Sequence, residues 1–202
     1  LSNILFPISL AINFLSKIKI RPSKNFKDIK CICVGNIYLG GTGKTSLAIE
    51  LKKILDKENI NSCFIKKEYS DQEDEQLLLN NFGKTFINKS RVKALENAIS
   101  EKYQVAIFDD GLQDKRIKFD LTFACFNQQN LIGNGRLIPA GPLREKIDIL
   151  DKYKNIFLTG VGINNNNFKK FLLDRFPNLI FFESEYKLLN LDDFNKNKNF
   201  II

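Results

Sequence analysis

Lys44 and Thr45 close a glycine-rich stretch, Tyr38-Leu39-Gly40-Gly41-Thr42-Gly43-Lys44-Thr45, whose residue types and spacing suit phosphate chemistry. Glycines let successive backbone N–H groups converge on phosphate oxygens, and a helix that starts there adds its positive end. In such a loop the lysine reaches the β and γ phosphates of a nucleotide, and the hydroxyl after it goes to Mg²⁺. The stretch therefore predicts a site for ATP and Mg²⁺ over Tyr38 to Thr45. The strict pattern asks for glycine where Tyr38 stands, and Gly35 comes three residues too early. A glycine-rich turn with an incidental lysine is the bland alternative. The setting argues against it, because a short apolar run precedes the loop and helical spacing follows.

A second group of candidates ends another apolar run, Val105-Ala106-Ile107-Phe108-Asp109-Asp110. Ligands of open α/β sheets bind at the carboxyl ends of the strands, so a carboxylate delivered there could hold the loop's metal ion. Two adjacent aspartates alone are weak evidence, and paired with the loop they are strong. How Asp109 and Asp110 divide the work stays open.

The elements that must position these residues are legible as an alternation. Strands are expected at Ile29–Val34, Ser62–Ile65, Tyr103–Phe108, Leu121–Cys125, Asn155–Leu158 and Leu179–Phe182. Helices are expected at Thr45–Lys57, Ser90–Lys102, near Leu143–Leu150 and at Asn167–Phe176, with a polar connection over Lys66–Glu75 and a surface turn over Asn164–Asn167. Strands alternating with helices of this length predict an α/β fold of the P-loop NTPase kind, a mostly parallel sheet with helices on both faces. The domain reading is an N-terminal helix and basic linker over 1–27, a core over 28–160, and the start of a further α/β portion over 161–202. The chain opens on Leu1, lacks methionine, and ends on the apolar run Phe200-Ile201-Ile202, so a fragment without its C-terminal portion is expected.

Composition narrows the partners. The 202 residues carry 31 basic and 23 acidic side chains, a net charge of +8 that favours an acidic partner. Nucleic acid is a poor choice, because no aromatic-basic interleaving or nucleic-acid motif accompanies the charge. Leu1 to Ser16 is uncharged and mostly apolar, followed by Lys17, Lys19, Arg21, Lys24 and Lys27. Sixteen residues fall short of the roughly 20 that span a bilayer as a helix. A helix in the interface of an anionic membrane fits the pattern, and a helix packed on the protein's own core is the alternative. With no histidine and no CxxC among four cysteines, no ordinary zinc site is available. The cysteines read as reduced, buried, apolar residues of a cytosolic protein.

Asp109-Asp110-Gly111-Leu112-Gln113, then Gly133-Asn134-Gly135-Arg136-Leu137-Ile138-Pro139-Ala140-Gly141-Pro142-Leu143-Arg144-Glu145, taken with Val34-Gly35-Asn36-Ile37 before the loop, closely resemble the tetraacyldisaccharide 4'-kinase family of lipid A biosynthesis. That family also lacks the first loop glycine, which accounts for Tyr38. The resemblance runs from the N-terminus to about Leu158. It implies transfer of the ATP γ-phosphate to the 4'-hydroxyl of an acylated glucosamine disaccharide 1-phosphate, by a peripheral protein at the cytoplasmic face of the bacterial inner membrane. It also implies site roles. The family's Gly-Asp-Glu-Pro stretch matches Glu73-Asp74-Glu75-Gln76, making Asp74 the candidate base and Glu75 a residue near the metal beside Thr45 and Asp109. A solvated acidic turn is the alternative. Arg136 and Arg144 could clamp the disaccharide or its 1-phosphate, with Gln113 a further substrate candidate. Alternatively, both arginines pair with local carboxylates around a rigid Pro139–Pro142 loop.

Departures are also visible. Lys66-Lys67-Glu68-Tyr69-Ser70 stands where the family usually has Ser-Arg-Gly-Tyr-Gly, and Asp114 stands where it usually has histidine. A competing reading, a membrane-associated P-loop ATPase with a positioning role, would want a second lysine where Leu39 stands.

Overall fold

Runs such as Cys31-Ile32-Cys33-Val34 and Val105–Phe108 have no polar face to offer water, and they form strands buried on both sides. The computed structural model describes residues 2–7, 9, 23–69, 73–160 and 165–184. Seven strands make one sheet: β1 (Lys30–Gly35), β2 (Ser62–Lys67), β3 (Thr85–Asn88), β4 (Val105–Asp109), β5 (Leu121–Asn127), β6 (Asn155–Thr159) and β7 (Ile180–Ser184). Their order is β3-β2-β4-β1-β5-β6-β7, and every pairing is parallel. The helices are α1 (Lys44–Lys57), α2 (Glu73–Phe82), α3 (Arg91–Ser100), the single turn α4 (Leu150–Tyr153) and α5 (Asn165–Arg175).

Both faces are covered, as expected. Leu95 and Ala98 of α3 and Phe168 and Leu172 of α5 pack with Cys33, Phe108 and Phe126 on one face. Leu47 and Ala48 of α1 and Leu79 of α2 pack with Val34, Phe64 and Ile107 on the other. All four cysteines are buried and free, and burial pushes the thiols of Cys31 and Cys63 up to about 12.

Several elements differ from expectation. The connection expected over Lys66–Glu75 is shorter, because β2 continues through Lys67 and α2 already begins at Glu73. Three carboxylates in that first turn, Glu73, Asp74 and Glu75, favour a helix start through the helix dipole. The short strand β3 was not anticipated, since four residues are too few to show a period. No full helix forms near Leu143–Leu150. There the N–H groups of Leu143 and Arg144 donate to Arg136 and Ile37 carbonyls, and only a 3₁₀ turn (Ile147–Ile149) and α4 follow. Asn165 to Asn167, expected as a turn, open α5, whose Phe168 and Leu172 are buried one turn apart. Across residue 160 the sheet is continuous, because β7 pairs with β6.

At the N-terminus, residues 2–7 are helical. Ser2 Oγ donates to Ala140 O at 2.5 Å and Ser9 Oγ to Leu137 O at 3.1 Å, while Ile4 is 74% and Phe6 43% exposed. The rest of the expected interfacial helix, with Lys17, Lys19 and Arg21, lies outside the described residues. Among the described residues no helix is long and apolar enough to cross a membrane.

Leu79 is the one fully buried residue of α2. Leu79→Ala is expected to lower stability by about 2–5 kcal/mol in urea unfolding, as large-to-small core changes do.

Candidate phosphate-binding site

Register builds this site. β1 lies between β4 and β5, with Val34 paired to Asp109, and β2 flanks β4 with Ile65 paired to Phe108. One residue further on, Lys66 and Asp109 come side by side. Alternation puts both side chains on the face that Phe64, Val105 and Ile107 share with α1.

Between β1 and α1 the chain forms the glycine-rich loop. Gly40 (φ 126) and Gly43 (φ 74) take up left-handed backbone that a side chain would strain. Gly43 caps α1, its carbonyl accepting from Leu47 N. The loop is held from inside by Asn36, fully buried, whose Nδ2 donates to Gly40 O (3.2 Å) and Thr42 Oγ1 (3.1 Å). Remote segments hold it from outside. Leu39 N donates to Pro142 O, Arg144 N to Ile37 O, Gln113 Nε2 to Asn36 O and Thr159 Oγ1 to Thr42 O. Tyr38 bridges Leu143 in antiparallel fashion, and Leu39 and Gly41 face solvent.

Asp109 is 1% exposed. Its Oδ2 accepts from Lys66 Nζ at 2.7 Å and from Thr45 Oγ1 at 3.3 Å, while its Oδ1 is buried without a partner. Burial pushes the carboxyl up, and the Lys66 ammonium pulls it back, with a smaller pull from Lys44. Lys66 Nζ also donates to Glu75 Oε2 at 2.5 Å. Burial works against the Lys66 charge, but the two carboxylates more than offset it and hold the ammonium above its ordinary value. Asp74 is exposed in the same first turn of α2, about 100° around the helix from Glu75.

Asp110 leaves the strand in left-handed backbone (φ 58), and its carboxylate accepts from Arg144 Nη1 at 3.1 and 3.2 Å. Arg91 Nη2 donates to the Asp110 carbonyl. A cavity of about 440 Å³ opens here, lined by five basic residues, Lys67, Lys89, Arg91, Arg116 and Arg144, together with Asp110, Asp114 and Gln113. Gln113 Nε2 and Tyr153 Oη both donate to Glu145 Oε2, tying this wall to the segment that carries Arg144.

The structure thus brings Lys44, Thr45, Asp109, Glu75, Asp110, Gln113 and Arg144 to one end of the sheet. Arg136 is elsewhere, donating to Ser2 Oγ and Asn3 Oδ1 and lying 5.4 Å from the Phe6 ring centroid. Sequence reasoning missed Lys66, Arg91 and Glu145. The signal for Lys66 was its spacing, two residues after Phe64 in a strand that runs on into the lysines.

Among the described residues no cluster of three or more acidic or cysteine side chains could hold a metal ion unaided. Thr45, Asp109 and Glu75 nevertheless offer the hard oxygen donors that Mg²⁺ takes alongside nucleotide phosphates. The buried, unpartnered Asp109 Oδ1 is consistent with such a ligand.

A family model described as tetraacyldisaccharide-1-P 4'-kinase matches residues 1–198, well past Leu158. The chain is 50% identical over 201 residues to a tetraacyldisaccharide 4'-kinase of Pelagibacter ubique, covering 100% of this chain and 64% of that protein. It is 34% identical over 218 residues to the enzyme of that name from Rickettsia bellii, covering 98% and 65%. The chain therefore spans just under two thirds of the length of these relatives. Among solved structures, LpxK from Aquifex aeolicus in complex with ATP superposes with a TM-score of 0.60 at 19% identity, over 95% of this chain and 82% of that one. The cell division protein FtsY of Thermotoga maritima gives 0.52 at 15% identity, over 93% and 71%. Both likenesses speak for the P-loop fold alone.

Asp114 supplies a pH-dependent test. Burial opposes its charge, yet the Arg116 guanidinium donates to it twice (2.8 and 2.7 Å) and the Arg116 backbone N–H once (3.3 Å), Arg91 stands 3.8 Å away, and together they hold it below its ordinary 3.8. A depressed carboxylate stabilises the fold above its unfolded pKa and loses that contribution as pH falls through the folded one. Asp114→Asn should cost about 1–3 kcal/mol at pH 7. The gap from the unsubstituted protein should shrink in melts below about pH 4.

Proposed function

Because the chain belongs to the tetraacyldisaccharide-1-P 4'-kinase family, we propose that it is the nucleotide-binding part of an ATP-dependent kinase. The acceptor is the 4'-hydroxyl of tetraacyldisaccharide 1-phosphate in lipid A biosynthesis. The observation that carries this reading is the basic cavity of about 440 Å³ beside the phosphate loop, sharing Gln113 and Arg144 with the contacts that hold the loop in place. A generic ATPase needs the loop, but not an adjoining anion-sized cavity with five basic residues.

In this reading the loop N–H groups from Gly40 to Thr45 and the N-terminus of α1 bind the ATP phosphates, and Lys44 neutralises charge on the γ-phosphoryl as it moves. Mg²⁺, held by Thr45 and Asp109 with Glu75 near, would supply further neutralisation of the phosphate oxygens. Arg144 and the cavity's other basic side chains orient the sugar phosphate, which is the positioning that phosphoryl transfer chiefly requires. Asp74, exposed on α2, accepts the proton of the attacking hydroxyl as its oxygen bonds to phosphorus and the bond to ADP breaks. The exposed Ile4 and Phe6 and the net charge of +8 support a peripheral position on an anionic membrane, the cytoplasmic face of the inner membrane.

Full-length enzyme incubated with ATP, Mg²⁺ and tetraacyldisaccharide 1-phosphate should yield the 4'-phosphate. Lys44→Ala should lower turnover by about 10²–10³-fold, the loss typical of a removed electrostatic stabiliser. Asp74→Asn should lower kcat and leave ATP binding unchanged. A folded, ATP-binding enzyme that makes no product would sink the reading. Binding to phosphatidylglycerol vesicles should weaken as salt rises, whereas salt-insensitive or absent binding would count against the membrane position.

A further inference from the structure

Lys66 places a cation where the loop pattern and the metal donors require none. Its side chain is 2% exposed, and its ammonium lies between Asp109 Oδ2 at 2.7 Å and Glu75 Oε2 at 2.5 Å. Thr45, which offers its hydroxyl to the metal in the kinase reading, donates to the same Asp109 oxygen at 3.3 Å. The ammonium therefore stands within the space of the very oxygens that would hold Mg²⁺. We propose that Lys66 is a resident counter-ion that competes with the divalent cation for Asp109, weakening Mg²⁺ binding while keeping the metal-free site assembled. The proposal deepens the kinase reading and rests on it.

Three observations carry it. First, the two carboxylate oxygens are no farther apart than the two bonds to Lys66 laid end to end, so without a cation between them the buried Asp109 would repel Glu75, whose side chain is half exposed. Second, Asp109 already spends one oxygen on Lys66 and Thr45, and only Oδ1 is left unpartnered. A metal must share the carboxylate with the ammonium or displace it, and in both cases the lysine's charge opposes the ion's. Third, Lys66 ties two elements together. It belongs to β2, whereas Glu75 lies in the first turn of α2, so this ion pair fixes the acidic end of α2 against the sheet. Lys66 is thus a positioning residue, acting through Asp109 and Glu75.

The test uses full-length enzyme with a non-hydrolysable ATP analogue, and reads Mn²⁺ binding from loss of the free-ion electron paramagnetic resonance signal. Lys66→Met and Lys66→Ser should each bind Mn²⁺ at least about fivefold tighter, because a repelling charge has gone. Lys66→Arg should stay near the unsubstituted enzyme. Unchanged or weaker Mn²⁺ binding in a folded neutral variant would overturn the proposal. If both neutral variants fail to fold, the unsubstituted enzyme decides. Its Lys66 ammonium ¹⁵N resonance should shift when Mg²⁺ is added to the nucleotide complex, and an unmoved resonance would refute the competition. Product formation with unaltered metal affinity would remove this proposal only. Tightened metal binding with no product would remove the kinase reading and leave the competition standing.

Discussion

The carboxylate of Asp109 ends a central strand at 1% exposure, and taking such a charge out of water costs several kcal/mol unless neighbours replace the lost hydration. Much of the architecture supplies that replacement. Parallel pairing puts β1 and β2 on either side of β4, which brings Lys66 alongside and lets α1 present Thr45 from across the loop. Replacing Lys66 by an apolar residue would leave a buried charge with one weak partner. Removing one member of a buried pair typically destabilises by about 3–5 kcal/mol. A carboxylate in this position makes sense where a cationic ligand is to be bound.

The loop obeys a related constraint. Its glycines permit the shape without enforcing it, and enforcement comes from Asn36 inside and from the 142–144 segment and Gln113 outside. The Arg136–Glu145 stretch, remote in sequence, thereby becomes a strap across the phosphate loop. Arg144 serves two ends at once, its backbone N–H holding Ile37 and its guanidinium holding Asp110. Such double use couples the position of the loop to that of the basic cavity, which is what the proposed transfer between two bound partners requires.

Much of this was legible in the sequence. Unbroken apolar runs at β1 and β4 and helical spacing at α1 and α3 marked the alternating fold, and the glycine spacing with Lys44 and Thr45 marked the loop. Harder to see was whatever depends on pairing between strands. Lys66 read as the start of a polar connection because lysine ordinarily ends a strand, and only the carboxylate across the β2–β4 pair explains why it continues one. Arg91 opens a helix and is drawn to Asp110 and Asp114 by tertiary placement, which no local pattern encodes. The helix expected near Leu143 failed for a comparable reason: backbone donors that a helix would have used internally hold Arg136 and Ile37 instead.

The acidic turn of α2 shows how these constraints meet. Among the described residues α2 has one buried side chain, Leu79, and its first turn is tied to the rest of the protein through Glu75 on Lys66 and Gln76 Nε2 on the Tyr69 carbonyl at 3.4 Å. A helix anchored at so few points takes its position from them. The Lys66 ammonium is the shared partner of Glu75 and Asp109, so whatever changes the charge around Asp109 is felt by the turn that carries Asp74. Glu75, a candidate metal donor, and Asp74, the candidate base, are neighbours on α2, and Lys66 ties Glu75 to Asp109, so the placing of both residues depends on that ion pair.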